Sequence, residues 1–178
     1  MLRTLIPRPA VTSGAGGRAT PNTAVLLKTT PTARPTDLDR AYLAGIIDGE
    51  GWVGAHIQLR ARQGRTERCI KVEIAIANTD RRLIDWAARF WPGNIYDHKA
   101  TTTRKLCWYF KVWGDDMGVM LAASRPFLVL KREQADIAAE LLATRRAAGQ
   151  FRHSPEVWAR RFALVSRLTE LNKKGPAG

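Results

Sequence analysis

At 178 residues and 45% hydrophobic, the chain has room for one folded domain with a sizeable core. Its 29 Lys and Arg against 16 Asp and Glu leave a formal net charge of +13, which calls for a polyanionic partner. Nucleic acid leads, because the longest apolar runs, such as Pro126 to Leu130, are far short of the roughly 20 residues of a membrane span.

Residues 1–36 carry Arg3, Arg8, Arg18, Lys28 and Arg34 but no acid, and Pro7, Pro9, Pro21, Pro31 and Pro35 interrupt every candidate helix or strand. The segment reads as a disordered basic arm, or as an organellar transit peptide whose prolines oppose the usual amphipathic helix. Without its five basic residues the rest keeps 24 basic against 16 acidic, a net of about +8, so the domain from Asp37 to Gly175 carries its own electrostatic case.

From Asp39 the periodicity alternates. The spacing of Leu43, Ile46 and Ile47 predicts a first helix capped by Asp37 or Asp39. Residues 51–62 then switch to period two, with Val53, Ala55, Ile57, Leu59 and Ala61 on one face and Trp52, His56, Gln58, Arg60 and Arg62 on the other. After a polar turn, Ile70, Val72, Ile74 and Ile76 alternate with Lys71 and Glu73, which predicts a hairpin with one basic, wet face. A second helix follows through Leu83, Ile84, Ala87 and Phe90, capped by Thr79 or Asp80. A second strand pair covers residues 94–99 and 104–113, and three helical stretches close the chain, the last opening on Ser154-Pro155-Glu156. The expected fold class is α+β: an αββαββα domain with one antiparallel, saddle-shaped sheet, helices on one face, and extra C-terminal helices.

Two features of the first helix need a cause. Ala41, Gly45 and Gly49 recur every fourth residue and Ala44 widens the ridge, although each interior glycine costs about 1 kcal/mol relative to alanine. Close helix–helix approach would offset that cost, and with no matching ridge elsewhere the simplest partner is the same helix of a second copy. Packing on the chain's own sheet is the alternative. Asp48 and Glu50 sit where the helix dipole disfavours acids, and a bound divalent cation would reverse the penalty. Cys69, Cys107 and the scattered His56, His98 and His153 have no zinc-ligand spacing, so such a metal would be held by oxygen.

Leu43 to Gly51, reading LAGIIDGEG, resembles the defining motif of the LAGLIDADG homing endonucleases. Residues 78–90, 125–142 and 168–175 resemble further family stretches, so the likeness runs from about Asp37 to Gly175. The resemblance implies an intron-encoded, site-specific double-strand DNA endonuclease that uses Mg²⁺, with Mn²⁺ substituting. A single motif implies a homodimer. Glu50 corresponds to the family's metal-binding acid and Gly49 to the position whose carbonyl joins it, while Asp48 finishes the helix. Asn78 is then expected to order water or the metal shell and Arg82 to lie near the scissile phosphate. The family often carries a lysine just after the fourth strand, where this chain has Asp115 and Asp116, so Lys111 is the substitute. The same departure keeps open a catalytically weakened protein, an intron-RNA maturase or a DNA-binding regulator.

The polar strand faces supply candidate base contacts: Gln58 to adenine; Arg60, Arg62, Arg68 or Lys71 to guanine; Glu73 to cytosine. The second hairpin adds Tyr96, His98, Lys105, Tyr109 and Lys111. Lys131, Arg132, Lys173 and Lys174 are expected at phosphates, which fix register without reading sequence.

Overall fold

The computed structural model describes residues 25–62, 65–98, 105–145 and 153–173. In chain order these form β1 (Val25–Thr29), α1 (Asp37–Glu50), β2 (Gly51–Arg62), β3 (Arg65–Asn78), α2 (Arg81–Phe90), β4 (Gly93–His98), β5 (Cys107–Trp113), α3 (Asp115–Ser124), a 3₁₀ turn (Arg125–Phe127), α4 (Arg132–Ala143) and α5 (Pro155–Leu171).

The strands make one antiparallel sheet in the order β1-β4-β5-β3-β2. Period-two patterning puts Val53, Val72, Ile74, Ile76, Ile95, Phe110 and Val112 on one face, all at most 4% exposed. There they meet Leu43 and Ile47 of α1, Ile84 of α2, Met117 and Met120 of α3, Leu141 of α4 and Leu168 of α5, which are fully buried. The helices therefore cover one face of the sheet and the other stays open. Among the described residues no helix is long and apolar enough to cross a membrane.

The outer half of the first hairpin departs from the alternation reading. Ile57 and Leu59 point to the helix side but are 47% and 70% exposed, because β2 runs past the end of the helical layer. The arm expectation is corrected as well. Val25–Thr29 is an edge strand on β4, and Thr29 Oγ1 donates to Gly93 O at 3.2 Å. Thr32 and Ala33 then donate their amides to Arg89 O at the end of α2, so residues 25–36 belong to the fold. Residues 1–24 lie outside the described residues.

Helix boundaries follow local chemistry. α1 is capped by Thr36, not by Asp37 or Asp39: the Asp39 amide donates to Thr36 Oγ1 and Asp39 Oδ2 accepts from the Thr36 amide, a reciprocal capping box. Asp80 caps α2 by accepting from the Arg82 amide, and Ser154 caps α5 ahead of Pro155. At the junction from α1 to β2, a Cβ on Gly51 would sit 2.7 Å from the Ile47 Cα, so only glycine allows the strand to leave the helix this tightly.

Candidate functional site

α1 places its chemistry by its two sides. Leu43, Ala44, Ile46 and Ile47 face the core, whereas Leu38, Tyr42, Gly45, Gly49 and Glu50 are exposed. A Cβ built on Gly45 or Gly49 meets nothing within 4 Å, so the glycine ridge is uncovered in the single chain. That disposes of packing on the chain's own sheet as the reason for these two glycines. Ala44 is 0% exposed and belongs to the core, which removes it from the expected interface set; Ala41 is half-buried at its border.

The last turn of α1 is held by a clamp that the sequence did not announce. The Asp48 carboxylate accepts from the amides of Val129, Leu130 and Lys131 at 2.8, 3.2 and 2.9 Å. Lys131 returns the contact through its ammonium, which donates to the Asp48 carbonyl oxygen. Burial would raise the Asp48 carboxyl, but the three amides and the Lys131 charge outweigh it and hold the group below its ordinary value. Lys131, expected at a phosphate, is thus engaged with the negative end of α1. The clamp leaves Glu50 exposed one turn-end further on, without an ion pair or hydrogen bond to any described residue. Glu50 and the Gly49 carbonyl are hard oxygen donors of the kind Mg²⁺ takes. One chain supplies too few: among the described residues no group of three His, Cys, Asp or Glu side chains could hold a metal.

Directly opposed strand residues share a face, so the register defines the open side. One row crosses all five strands through Lys28, Asn94, Lys111, Ala75 and Trp52. Flanking rows carry His56 with Lys71, Gln58 with Cys69, and Tyr96 with Tyr109 and Ala77. Lys111 lies between the Tyr96 and Tyr109 rings, 5.4 and 5.5 Å from their centroids, and His98 packs on Tyr109. Burial, with the Glu73 charge, pushes the Tyr96 phenol up from 10.0. Gln58, Lys71, Tyr96, His98, Tyr109 and Lys111 therefore share the open face as expected. Lys105 is exposed just ahead of β5. Arg60 and Arg62 occupy β2 positions opposite Glu67 and Arg65, and their side chains lie outside the described residues, as does Lys174.

Three expectations fail on geometry. Arg68 pairs with Leu59 and so sits on the helix side of the sheet, the face opposite to Lys71. Glu73 is on the open face but only 8% exposed and is ion-paired with Lys71, which leaves it no freedom to accept from a base. Asn78 pairs with Trp108 on the helix side, and its Oδ1 accepts from the Asp80 amide at 2.8 Å as part of the turn into α2. Arg82 is 91% exposed and gripped by Asp80, whose carboxyl is lowered to about 2 chiefly by the Arg82 side-chain hydrogen bonds. Asp115 and Asp116 open α3, where the helix dipole favours acids, and Asp115 pairs with Arg145 at 2.7 Å. Lys28 was missed as a member of the open face, whereas the alternation reading already places Trp52 there. Period two flagged Trp52 as polar-side without a role, and the prolines around residues 25–29 hid Lys28.

No family model and no curated protein matches the sequence. Solved structures do match the fold. The homing endonuclease I-CvuI in complex with its target superposes with a TM-score of 0.59 at 19% identity, over 80% of this chain and 87% of that one. The archaeal intron-encoded homing endonuclease I-Vdi141I, complexed with DNA, gives 0.61 at 18% identity, over 78% and 87%. The LAGLIDADG homing endonuclease I-GzeII, with its DNA target, gives 0.51 at 16% identity, over 72% of this chain but only 43% of that one.

Proposed function

We infer that this chain, which has the fold of the LAGLIDADG homing endonucleases, is a site-specific double-strand DNA endonuclease acting as a homodimer on a long, roughly palindromic target. The observation that carries the reading is the uncovered glycine side of α1 ending in the exposed Glu50, which has no partner among the described residues. Two copies packed along Gly45 and Gly49 would bring two Glu50 carboxylates and two Gly49 carbonyls together, supplying the donors a single chain lacks. The nearly full-length matches to I-CvuI and I-Vdi141I, against less than half of I-GzeII, support one motif per chain and two chains per site.

The open face would enter the major groove with Gln58, His56, Tyr109 and Lys111 against base edges, and with Lys28 at its rim. Glu50 and Gly49 would hold Mg²⁺ or Mn²⁺; a cation so placed polarises a phosphodiester and lowers the pKa of water. The chain's own part is orientation. The Asp48 carboxylate fixes the last turn of α1 through three amides, and the Lys131 ammonium stabilises its carbonyl end. Lys111 would supply the positive charge that Asp115 does not.

The exposed Asp115, at the position where the family often has lysine, favours the second reading of a protein that binds nucleic acid, including intron RNA, without cutting it. Incubation with a randomised duplex library in Mg²⁺, Ca²⁺ or EDTA tests the choice. Recovery of cut ends of one sequence class in Mg²⁺ alone is expected; retention of uncut duplex under all three conditions would establish the second reading.

A further inference from the structure

Among the described residues β5 pairs with β3 only from Glu73 to Asn78, and no other described strand pairs with that edge of the outer half of β3. A cavity of about 250 Å³ lies along that edge, walled by β3, the end of β5, the C-terminal end of α4 and the face of α5. Its lining brings Arg68 and Lys71 together with Arg145 and Arg161, and adds the indoles of Trp113 and Trp158. Among the described residues no aspartate or glutamate lines it. Lys71 and Arg145 have acids behind them, Glu73 and Asp115, but Arg68 has no ion pair among the described residues. Arg161 is 3% exposed, and its Nη1 is aimed by Leu141 O at 3.0 Å and Thr144 Oγ1 at 2.7 Å. A guanidinium fixed in so dry a wall attracts an anion more strongly than one in water.

The anion such a wall suits is phosphate. Guanidinium forks match its oxygens two at a time, and three arginines reach the cavity from three different segments. The indoles extend the fit to the group that carries the phosphate. Trp113 has Lys71 4.3 Å from its ring centre, and Trp158 stacks on Phe162 at 5.2 Å, so both rings are held in place while remaining only partly buried. Rings held beside a cationic wall are the usual platform for an unpaired base.

We propose that this cavity binds a single nucleotide unit, its phosphate against Arg68, Arg145 and Arg161 and its base against Trp113 and Trp158. The unit is either a free nucleotide or an unpaired residue of a nucleic-acid strand that passes the sheet edge. The site is independent of cleavage at Glu50. Titration of the full chain with deoxyadenosine 5′-monophosphate should shift the indole N–H resonances of Trp113 and Trp158, assigned with Trp113→Phe and Trp158→Phe, and leave buried Trp91 unmoved. The double variant Arg68→Gln/Arg145→Gln, made at exposed side chains, should weaken binding by about tenfold or more, the scale of a lost charge-assisted contact. Inorganic phosphate should bind more weakly than the nucleotide. A single-stranded oligonucleotide binding more tightly than the mononucleotide assigns the site to a strand, and equal affinity assigns it to the free nucleotide. Absence of the two indole shifts, equal affinity for inorganic phosphate, or unchanged affinity in the double variant overturns the proposal.

Discussion

Asp48 and Glu50 show how two like residues separated by one glycine take opposite roles. Asp48 accepts three amides from the loop leading into α4, whereas Glu50 is left to solvent. The Asp48 pKa is depressed in the folded chain below the ordinary 3.8, so the unfolded chain binds the extra proton first as pH falls. Its stabilising contribution is therefore complete well above pH 3.8 and is lost as pH drops through and below that value. Asp48→Asn should cost about 1–3 kcal/mol at neutral pH, the usual loss when a charged acceptor of several amides is neutralised. Thermal melts between neutral and acid pH check it: the variant's melting temperature should fall less steeply on acidification than the parent's. Parallel curves would assign the clamp no part in acid stability.

At the scale of the element, α1 and its C-cap carry glycines with opposite demands. Gly51 is closed in by the Ile47 backbone, so Gly51→Ala should destabilise the fold by about 1–3 kcal/mol, as overpacking does, measurable by denaturant unfolding. Gly45 is open, and Gly45→Leu should leave the protomer folded while shifting sedimentation from dimer to monomer. Persistence of the dimer in that variant would move the interface elsewhere. The order of elements from α1 to α5 was legible because each switch between period 3.6 and period two is clean, and the exposed glycines could be read from their cost. β1 was not legible: five residues between prolines are too short for a pattern, and their strand state depends on β4 offering a free edge. Arg68 and Asn78 were misassigned because a residue's face depends on register, and a difference of one position inverts it. The Asp48 clamp joins residues more than 80 apart, which no local spacing encodes.

For the whole molecule, charge and topology point the same way. The five α-helices of the described residues lie on one side of the sheet, and Lys28, Lys71, Tyr96, Tyr109 and Lys111 collect on the other. Binding to duplex DNA should weaken steeply with salt, and Lys28→Ala and Lys111→Ala should each lower the slope of log K against log salt by about 1 if the lysine touches a phosphate. Fluorescence anisotropy over a salt series measures this, and an unchanged slope would remove that lysine from the contact surface. The central claim, that the end of α1 is the cutting centre, is tested most directly by Glu50→Gln on a duplex selected by the parent chain in Mg²⁺. Binding within a few-fold of the parent and no cleavage of either strand are expected; cleavage at the parental rate would remove Glu50 from the cutting centre.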